Sequence, residues 1–284
     1  MAGRGQVERT VTLTTVIDIV KESARPIRLL QLSDCHLGQY TGEQLLGLDT
    51  DESLQDVIAL INAEQKHVDC VLVTGDIAGE GRPGAYQRFF KTYAPQLPQP
   101  LVCLPGNHDL QDALIKAKGG PLDKIVELGA WVILLLDSSV DEQEHGDLSA
   151  AELAFLDQQL SHYADRHVAI FLHHQPVKVG SAWIDQYIVR SAVRFFSVID
   201  RHNNVRSIGW GHVHQEFSAE RNGVKLLACP STCVQFKPLI DEFTVDSAMP
   251  GYRWFDLYLD GRIATGVARV VEKAYGIDFA SSGY

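Results

Sequence analysis

The sequence is short of positive charge, of sulfur and of long apolar runs. Twenty-five Lys and Arg stand against 36 Asp and Glu, a net charge of −11. That deficit argues against non-specific binding to DNA or to an anionic membrane, because neutralising phosphates needs clustered cations. Methionine occurs twice and cysteine five times, at Cys35, Cys70, Cys103, Cys229 and Cys233. An odd number at irregular spacing gives no disulfide framework. Cys70 and Cys103 sit inside apolar runs, where cysteine acts as a small hydrophobe. A reducing compartment, the cytoplasm, is therefore expected. The longest apolar run, WVILLLD at 131–137, is strand-length and far short of a membrane span. The opening MAGRGQVERTVTLTTVIDIV lacks the compact apolar core of a signal peptide. No internal repeat or low-complexity linker divides the 284 residues. One domain over 1–284 is expected, with chemistry in about 27–238 and a C-terminal β segment in about 250–272.

What is present is a series of short β-type runs. IRLLQLSD (27–34), VDCVLVTGD (68–76), LVCLPGNHD (101–109), WVILLLDSS (131–139), VAIFLHH (168–174) and VRSIGWGH (205–212) read as strands covered on both faces. Helical patterns lie between several of them. Leu54, Val57, Ile58 and Ile61 mark one buried face, and Leu153, Leu156 and Leu160 another. Ser149 with Glu152 reads as a capping box. A third helix is expected over about 186–202, with Val189, Val193, Phe196 and Ile199 inward. Beyond 220 the pattern is β, with a turn at Asp260-Gly261. The expectation is an α/β domain of two packed sheets with helices outside.

Five of the six strands end in Asp, Asn or His: Asp34 and His36; Asp76; Asn107 and His108; His173 and His174; His212 and His214. Ligand sites of open α/β sheets lie at such strand ends. Residues two apart on an extended chain point the same way, so Asp34 can pair with His36, and His212 with His214, while Cys35 and Val213 turn away. Imidazoles with carboxylate and amide oxygens suit Mn, Fe, Zn or Co rather than a thiolate zinc site. Asp34, His36, Asp76, Asn107, one of His173/His174, His212 and His214 are too many donors for one ion. They suit two, with Asp76 as the candidate bridge. Two divalent ions against two carboxylates and a hydroxide leave a positive surplus, which attracts a phosphodiester.

The blocks SDCH, TGD, PGNHD, FLHHQP and GHVH, in this order, resemble the calcineurin-like metallophosphoesterase superfamily. LHHQPVKVGSAWIDQ (172–186), GHVHQE (211–216), PSTCVQFKP (230–238) and the tail SSGY are similar to bacterial class III 3′,5′-cyclic AMP phosphodiesterases. The resemblance implies a four-layer α/β/β/α sandwich of two mixed sheets. It places Asp34, His36, Asp76 and His214 on one metal and Asp76, Asn107, His173 and His212 on the other, iron or manganese first and zinc or cobalt behind. Asn107, His108 and His212 would contact the substrate, with His108 protonating the leaving oxygen. The implied reaction is hydrolysis of cyclic AMP to 5′-AMP by in-line attack of a metal-bridging hydroxide, and the implied catalytic residues are His108, Asp76 and Asn107. The partner is then a small cyclic nucleotide, not nucleic acid or a membrane, with the chain a monomer or homodimer.

One departure stands out. Many relatives have HHPP where this chain has HHQP, which leaves both His173 and His174 open as the ligand. A broader phosphodiesterase, acting on 2′,3′-cyclic nucleotides, glycerophosphodiesters or nucleic acid ends, is the second reading, and a non-catalytic scaffold the third. PSTCVQFKP reads either as a substrate- or partner-contacting loop or as a rigid connector. Cys229 and Cys233 read as buried thiols, and Tyr252, Trp254, Phe255 and Tyr258 as sheet core and edge. His67, His145, His162, His167 and His202 read as surface residues.

Overall fold

The computed structural model describes residues 16–19 and 25–283. Most of the N-terminal stretch read above for a signal peptide, and Tyr284 of the tail, lie outside them. In chain order the main strands are β1 (Val16–Ile19), β2 (Ile27–Leu32), β3 (Cys70–Thr74), β4 (Leu101–Leu104), β5 (Ile125–Leu128), β6 (Trp131–Leu135), β7 (His167–Phe171), β8 (Val205–Trp210), β9 (Phe217–Arg221), β10 (Val224–Ala228), β11 (Gly251–Leu257) and β12 (Ile263–Arg269). They form a seven-stranded mixed sheet, β1-β5-β6-β7-β8-β10-β9, and a five-stranded one, β12-β11-β2-β3-β4. Two short ladders, Gln44–Leu45 with Leu48–Asp49 and Gln235–Phe236 with Val245–Asp246, lie apart from both.

The period of two sorts side chains into layers. On β6, Trp131, Ile133 and Leu135 face the other sheet, and with Leu29, Leu72, Val102, Phe171 and Phe255 they fill the space between the sheets. Val132 and Leu134 face the opposite way, onto α4 (Ala150–His162) and α6 (Ala192–Ile199). On β2, Leu29 faces inward while Leu30 and Leu32 pack on α1 (Thr50–Glu64) through Leu54, Val57, Ile58 and Ile61, in a cluster that α3 (Gln111–Lys118) joins through Leu114. The result is four layers, α/β/β/α. Truncating a ring such as Phe171, with no exposure, costs about 3–5 kcal/mol. Polar ties cross the sheets as well. Buried Arg253 of β11 donates from Nε to the Ala228 carbonyl of β10 at 2.9 Å. Gln31 of β2 donates to the Trp210 carbonyl of β8 at 3.0 Å.

Three expectations need correction. The helix expected over 186–202 forms only at Ala192–Ile199, after the short α5 (Ala182–Asp185). Between them the backbone is committed to other loops: Val189 N–H donates to the Gln175 carbonyl, and Arg190 N–H to that of Gly146. The inward face is then Phe195, Val198 and Ile199, whereas Val193 is 81% exposed. Ser149 does cap α4 by accepting from Glu152 N–H at 3.1 Å, but the Glu152 carboxylate does not return the bond. It takes Lys124 and the Asp137 N–H instead. His145 is buried, and His167 and His202 are half-buried, so only His67 and His162 are exposed. Tyr252 and Phe255 are core, and Trp254 and Tyr258 half-buried. The turn at Asp260-Gly261 joins β11 to β12.

Candidate metal centre

The strand-end blocks of both sheets meet at one edge of the sandwich. Asp34 and His36 follow β2, Asp76 follows β3, and Asn107 and His108 follow β4. From the other sheet, His173 and His174 follow β7, and His212 and His214 follow β8. Backbone bonds continue past the strand ends and tie the loops in pairs. Asp34 N–H donates to the Gly75 carbonyl at 3.0 Å and His36 N–H to that of Asp76 at 2.9 Å. Gly211 N–H donates to the His173 carbonyl at 3.0 Å.

The side chains turn together for a reason other than extended geometry. Asp34, His36, Asp76, His212 and His214 all have left-handed backbones, with φ of 57°, 47°, 51°, 64° and 49°. They are five of the nine non-glycine residues with positive φ among those described. Such conformations cost about 1–3 kcal/mol each and gather at functional sites. Cys35 and Val213 do turn away into the core. Close approach explains Gly106: a Cβ there would lie 2.1 Å from Asp76 Oδ1. Gly75 combines a φ of +96° with a would-be Cβ 2.4 Å from His173 Nδ1.

Donor atoms of Asp34, His36 and His214 lie within 4.8 Å of one another, as do those of Asp34, Asp76 and His173, and those of His36, Asp76 and His108. His173 Nε2 is 3.2 Å from Asp76 Oδ2 and 3.1 Å from Asn107 Oδ1. His36 Nε2 is 3.7 Å from Asp76 Oδ2, so Asp76 stands between the two groups. His214 Nε2 is 3.5 Å from Asp34 Oδ1 and 3.1 Å from His36 Nε2. His212 N–H donates to the Asp34 carboxylate at 3.0 Å.

The donor set fits divalent metal ions. A carbonyl only accepts, so the Nδ1 of His173 on Thr74, of His214 on Val234 and of His108 on Gly79, each at 2.8 Å, must carry the proton. With Nδ1 so occupied, Nε2 of His173 and of His214 is the nitrogen turned toward the carboxylates and the one that would coordinate a metal, the arrangement found behind metal-bound imidazoles. His212 Nε2 is buried with no hydrogen-bond partner. A cation would supply the partner that the His212 nitrogen lacks.

Electrostatics point the same way. Burial works to raise Asp76, but His173 and His108 outweigh it and hold its carboxyl well below the usual range. Burial likewise opposes ionisation of Asp34, which His214 and His173 keep lowered. Burial opposes charge on His173 too, yet Asp76 and Asp34 lift it to about 9. Burial pushes His36 down to about 3 and drives His174 and His212 well below their ordinary value.

His174 differs from His173. Its Nδ1 meets the Ser138 hydroxyl at 2.9 Å, and its donor groups only with His173 and His212, not with either carboxylate. Gln175, which stands at the departure from HHPP, spends its amide on the Ile184 carbonyl at 2.8 Å. Two contributors were not among the candidate site residues. Asp109 accepts from the backbone N–H groups of Ile77, Ala78 and Gly106, tying the loop after β3 to the loop after β4. Tyr86 on α2 (Pro83–Arg88) donates its hydroxyl to Asp109 at 3.0 Å and accepts from Leu110 N–H at 2.8 Å. Burial and the nearby Asp76 raise Asp109 to about 6. Within GNHD the final Asp was a signal for the first; nothing in the pattern marks Tyr86.

Among solved structures, a dimetal phosphatase from Danio rerio superposes with a TM-score of 0.62, covering 87% of this chain and 98% of that one at 16% identity. That likeness is one of fold. Sequence similarity goes further. The chain is 39% identical over 260 residues to the 3′,5′-cyclic adenosine monophosphate phosphodiesterase CpdA of Pseudomonas aeruginosa, covering 91% of this chain and 95% of that protein. It is 40% identical over 262 residues to the protein of the same name from Escherichia coli K12, with the same coverage. The model of the calcineurin-like phosphoesterase family matches residues 27–216, which carry every strand-end block described above. With these matches, the chain belongs to the calcineurin-like phosphoesterase family.

Proposed function

We propose that this protein is a dinuclear-metal phosphodiesterase that hydrolyses 3′,5′-cyclic AMP to 5′-AMP. The observation that carries the reading is the position of Asp76, between a group built on Asp34, His36 and His214 and one built on Asn107 and His173. Asp34, His36, Asp76 and His214 would hold one ion, and Asp76, Asn107, His173 and His212 the other. His173 is favoured over His174 because it alone of the two reaches Asp76 and Asn107. The donor chemistry suits Mn, Fe, Zn or Co, and the family resemblance favours iron or manganese among them. Two such ions, when bound, activate water and clamp an in-line displacement at phosphorus.

The chain's own residues do the rest. Burial of Asp34 and Asp76 keeps bulk water from competing for the centre. The Asp76 carboxylate is aimed by the His108 N–H at 2.9 Å. His108 keeps its Nδ1–H on the Gly79 carbonyl; with Nε2 also protonated, it would hand the Nε2 proton to the departing 3′ oxygen as the P–O3′ bond breaks and be left as the neutral Nδ1–H tautomer. The choice of cyclic AMP is supported by relatives bearing that name at 39–40% identity over 95% of their length. The whole chain would act as one domain, since β11 and β12 complete the sheet that carries Asp34 and Asp76.

Product analysis after incubation with cyclic AMP and Mn²⁺ or Fe²⁺ tests this reading. The expected product is 5′-AMP. A rate on a generic aryl phosphodiester far above that on cyclic AMP would shift the assignment to the broader phosphodiesterase.

A further inference from the structure

PSTCVQFKP lies outside residues 27–216 and outside the reaction as described. Its backbone and side chains nevertheless converge on two of the candidate ligands. Ser231 Oγ donates to the Asp34 carbonyl at 2.8 Å, with Cys233 Sγ 3.3 Å from the same oxygen. Thr232 N–H donates to the Ser33 carbonyl at 3.0 Å. The Val234 carbonyl takes the Nδ1–H of His214, and Phe236 N–H donates to the His214 carbonyl at 3.1 Å. The Phe236 ring then stacks on the His214 imidazole, 4.4 Å between centroids and 11° from parallel. Both residues so held have left-handed backbones, a conformation that needs its surroundings to impose it.

The loop is itself held in shape. Gln235 Nε2 donates to the carbonyls of Ser231 and Cys233 at 2.8 and 3.0 Å, folding the loop around its own amide. Gln235 Oε1 accepts from Arg269 Nη1 at 3.1 Å, and the same nitrogen holds the Met249 carbonyl at 2.6 Å. Arg269 ends β12, so the loop is keyed to the C-terminal hairpin. The other half of the centre rests on different groups: the Thr74 carbonyl behind His173, and Asp109 with Tyr86 between the loops of Asp76 and Asn107.

We infer that loop 230–236, keyed by Arg269 through Gln235, positions Asp34 and His214 and sets the affinity of the metal position they share, separately from the other position. The inference rests on the dinuclear reading above. Ser231, Gln235, Phe236 and Arg269 are positioning residues: each acts through Asp34 or His214.

The test is a Mn²⁺ titration of the full-length metal-free protein, followed by EPR spectroscopy. Wild type is compared with Ser231→Ala, Arg269→Met and, on the other half, Tyr86→Phe. Loss of such support weakens binding by about 10–100-fold. Ser231→Ala and Arg269→Met are expected to weaken one of the two binding steps on that scale and leave the other within about three-fold. Over that range a mononuclear six-line signal replaces the signal of the coupled pair. Tyr86→Phe is expected to spare the step that Ser231→Ala weakens. Should Ser231→Ala fail to fold, Arg269→Met at its half-buried site decides the matter. Both steps moving together in the variants, or neither moving, overturns the inference and leaves the dinuclear reading standing. A wild type that takes up no Mn²⁺ overturns both.

Discussion

The two halves of the candidate metal centre are held in different ways. Asp76, Asn107 and His173 are braced by near neighbours of the family blocks: Thr74, Gly106 and Asp109. Asp34 and His214 lean on Ser231, Val234 and Phe236, which in turn lean on Arg269 near the chain's end. The first half is nearly self-contained within the motifs. The second depends on sequence that no metal-ligand pattern would pick out. A site that looks symmetric in its donors is thus asymmetric in its support, and the two halves should fail separately.

The largest expected effect removes the residue common to both. Asp76→Ala should lower turnover of cyclic AMP by roughly 10²–10³-fold or more, the scale on which losing one preorganised electrostatic group acts. Near-normal turnover would erase the distinction between halves, because neither would then depend on Asp76. His108→Ala should lower kcat by about 10²–10⁴-fold while leaving Mn²⁺ uptake unchanged. An aryl phosphodiester, whose leaving group needs less protonation, should suffer less. An equal loss on both substrates would take His108 out of the proton-transfer role.

Metal loading should also report on the first half, through His173. In the metal-free protein its pKa, raised to about 9, keeps it protonated at pH 7–8, while a metal ligand must be neutral. Loading at pH 7–8 therefore releases a proton that loading at pH well above 9 does not. Apparent affinity rises with pH up to about 9 and then flattens. A pH-indicator titration in weak buffer checks this, and proton release independent of pH would contradict it. The smallest effect concerns Tyr86→Phe, which keeps the buried ring and removes the hydroxyl on Asp109. A hydrogen bond to a charged group is worth about 1.5–3 kcal/mol, and denaturant melts of the metal-free protein should show a loss of that order.

The same contrast marks what the sequence made legible. Continuous apolar runs and their polar ends made β2, β3, β4, β6, β7 and β8 readable, because burial on both faces leaves a strong signal. Leu54, Val57, Ile58 and Ile61 gave α1 for the same reason. β5 at Ile125–Leu128 was hidden by its brevity and by Glu127, which is half-buried and pairs with Arg166. Val193 misled because α6 starts after it was assumed to, so the helical phase shifted. The nine named strand-end residues do come together, but the stated reason for the shared direction of Asp34 with His36 and of His212 with His214 fails: these four turn by left-handed backbones rather than by alternation. Ser231 and Arg269 could not be read, because their importance lies in which carbonyls they reach across the fold.

The central claim is that two cations share Asp76. An anomalous-scattering map from crystals of the Mn²⁺-loaded protein tests it most directly. Two peaks about 3.5–4 Å apart, with the Asp76 carboxylate between them, are predicted. A single peak, or a pair that leaves Asp76 uncoordinated, would contradict it.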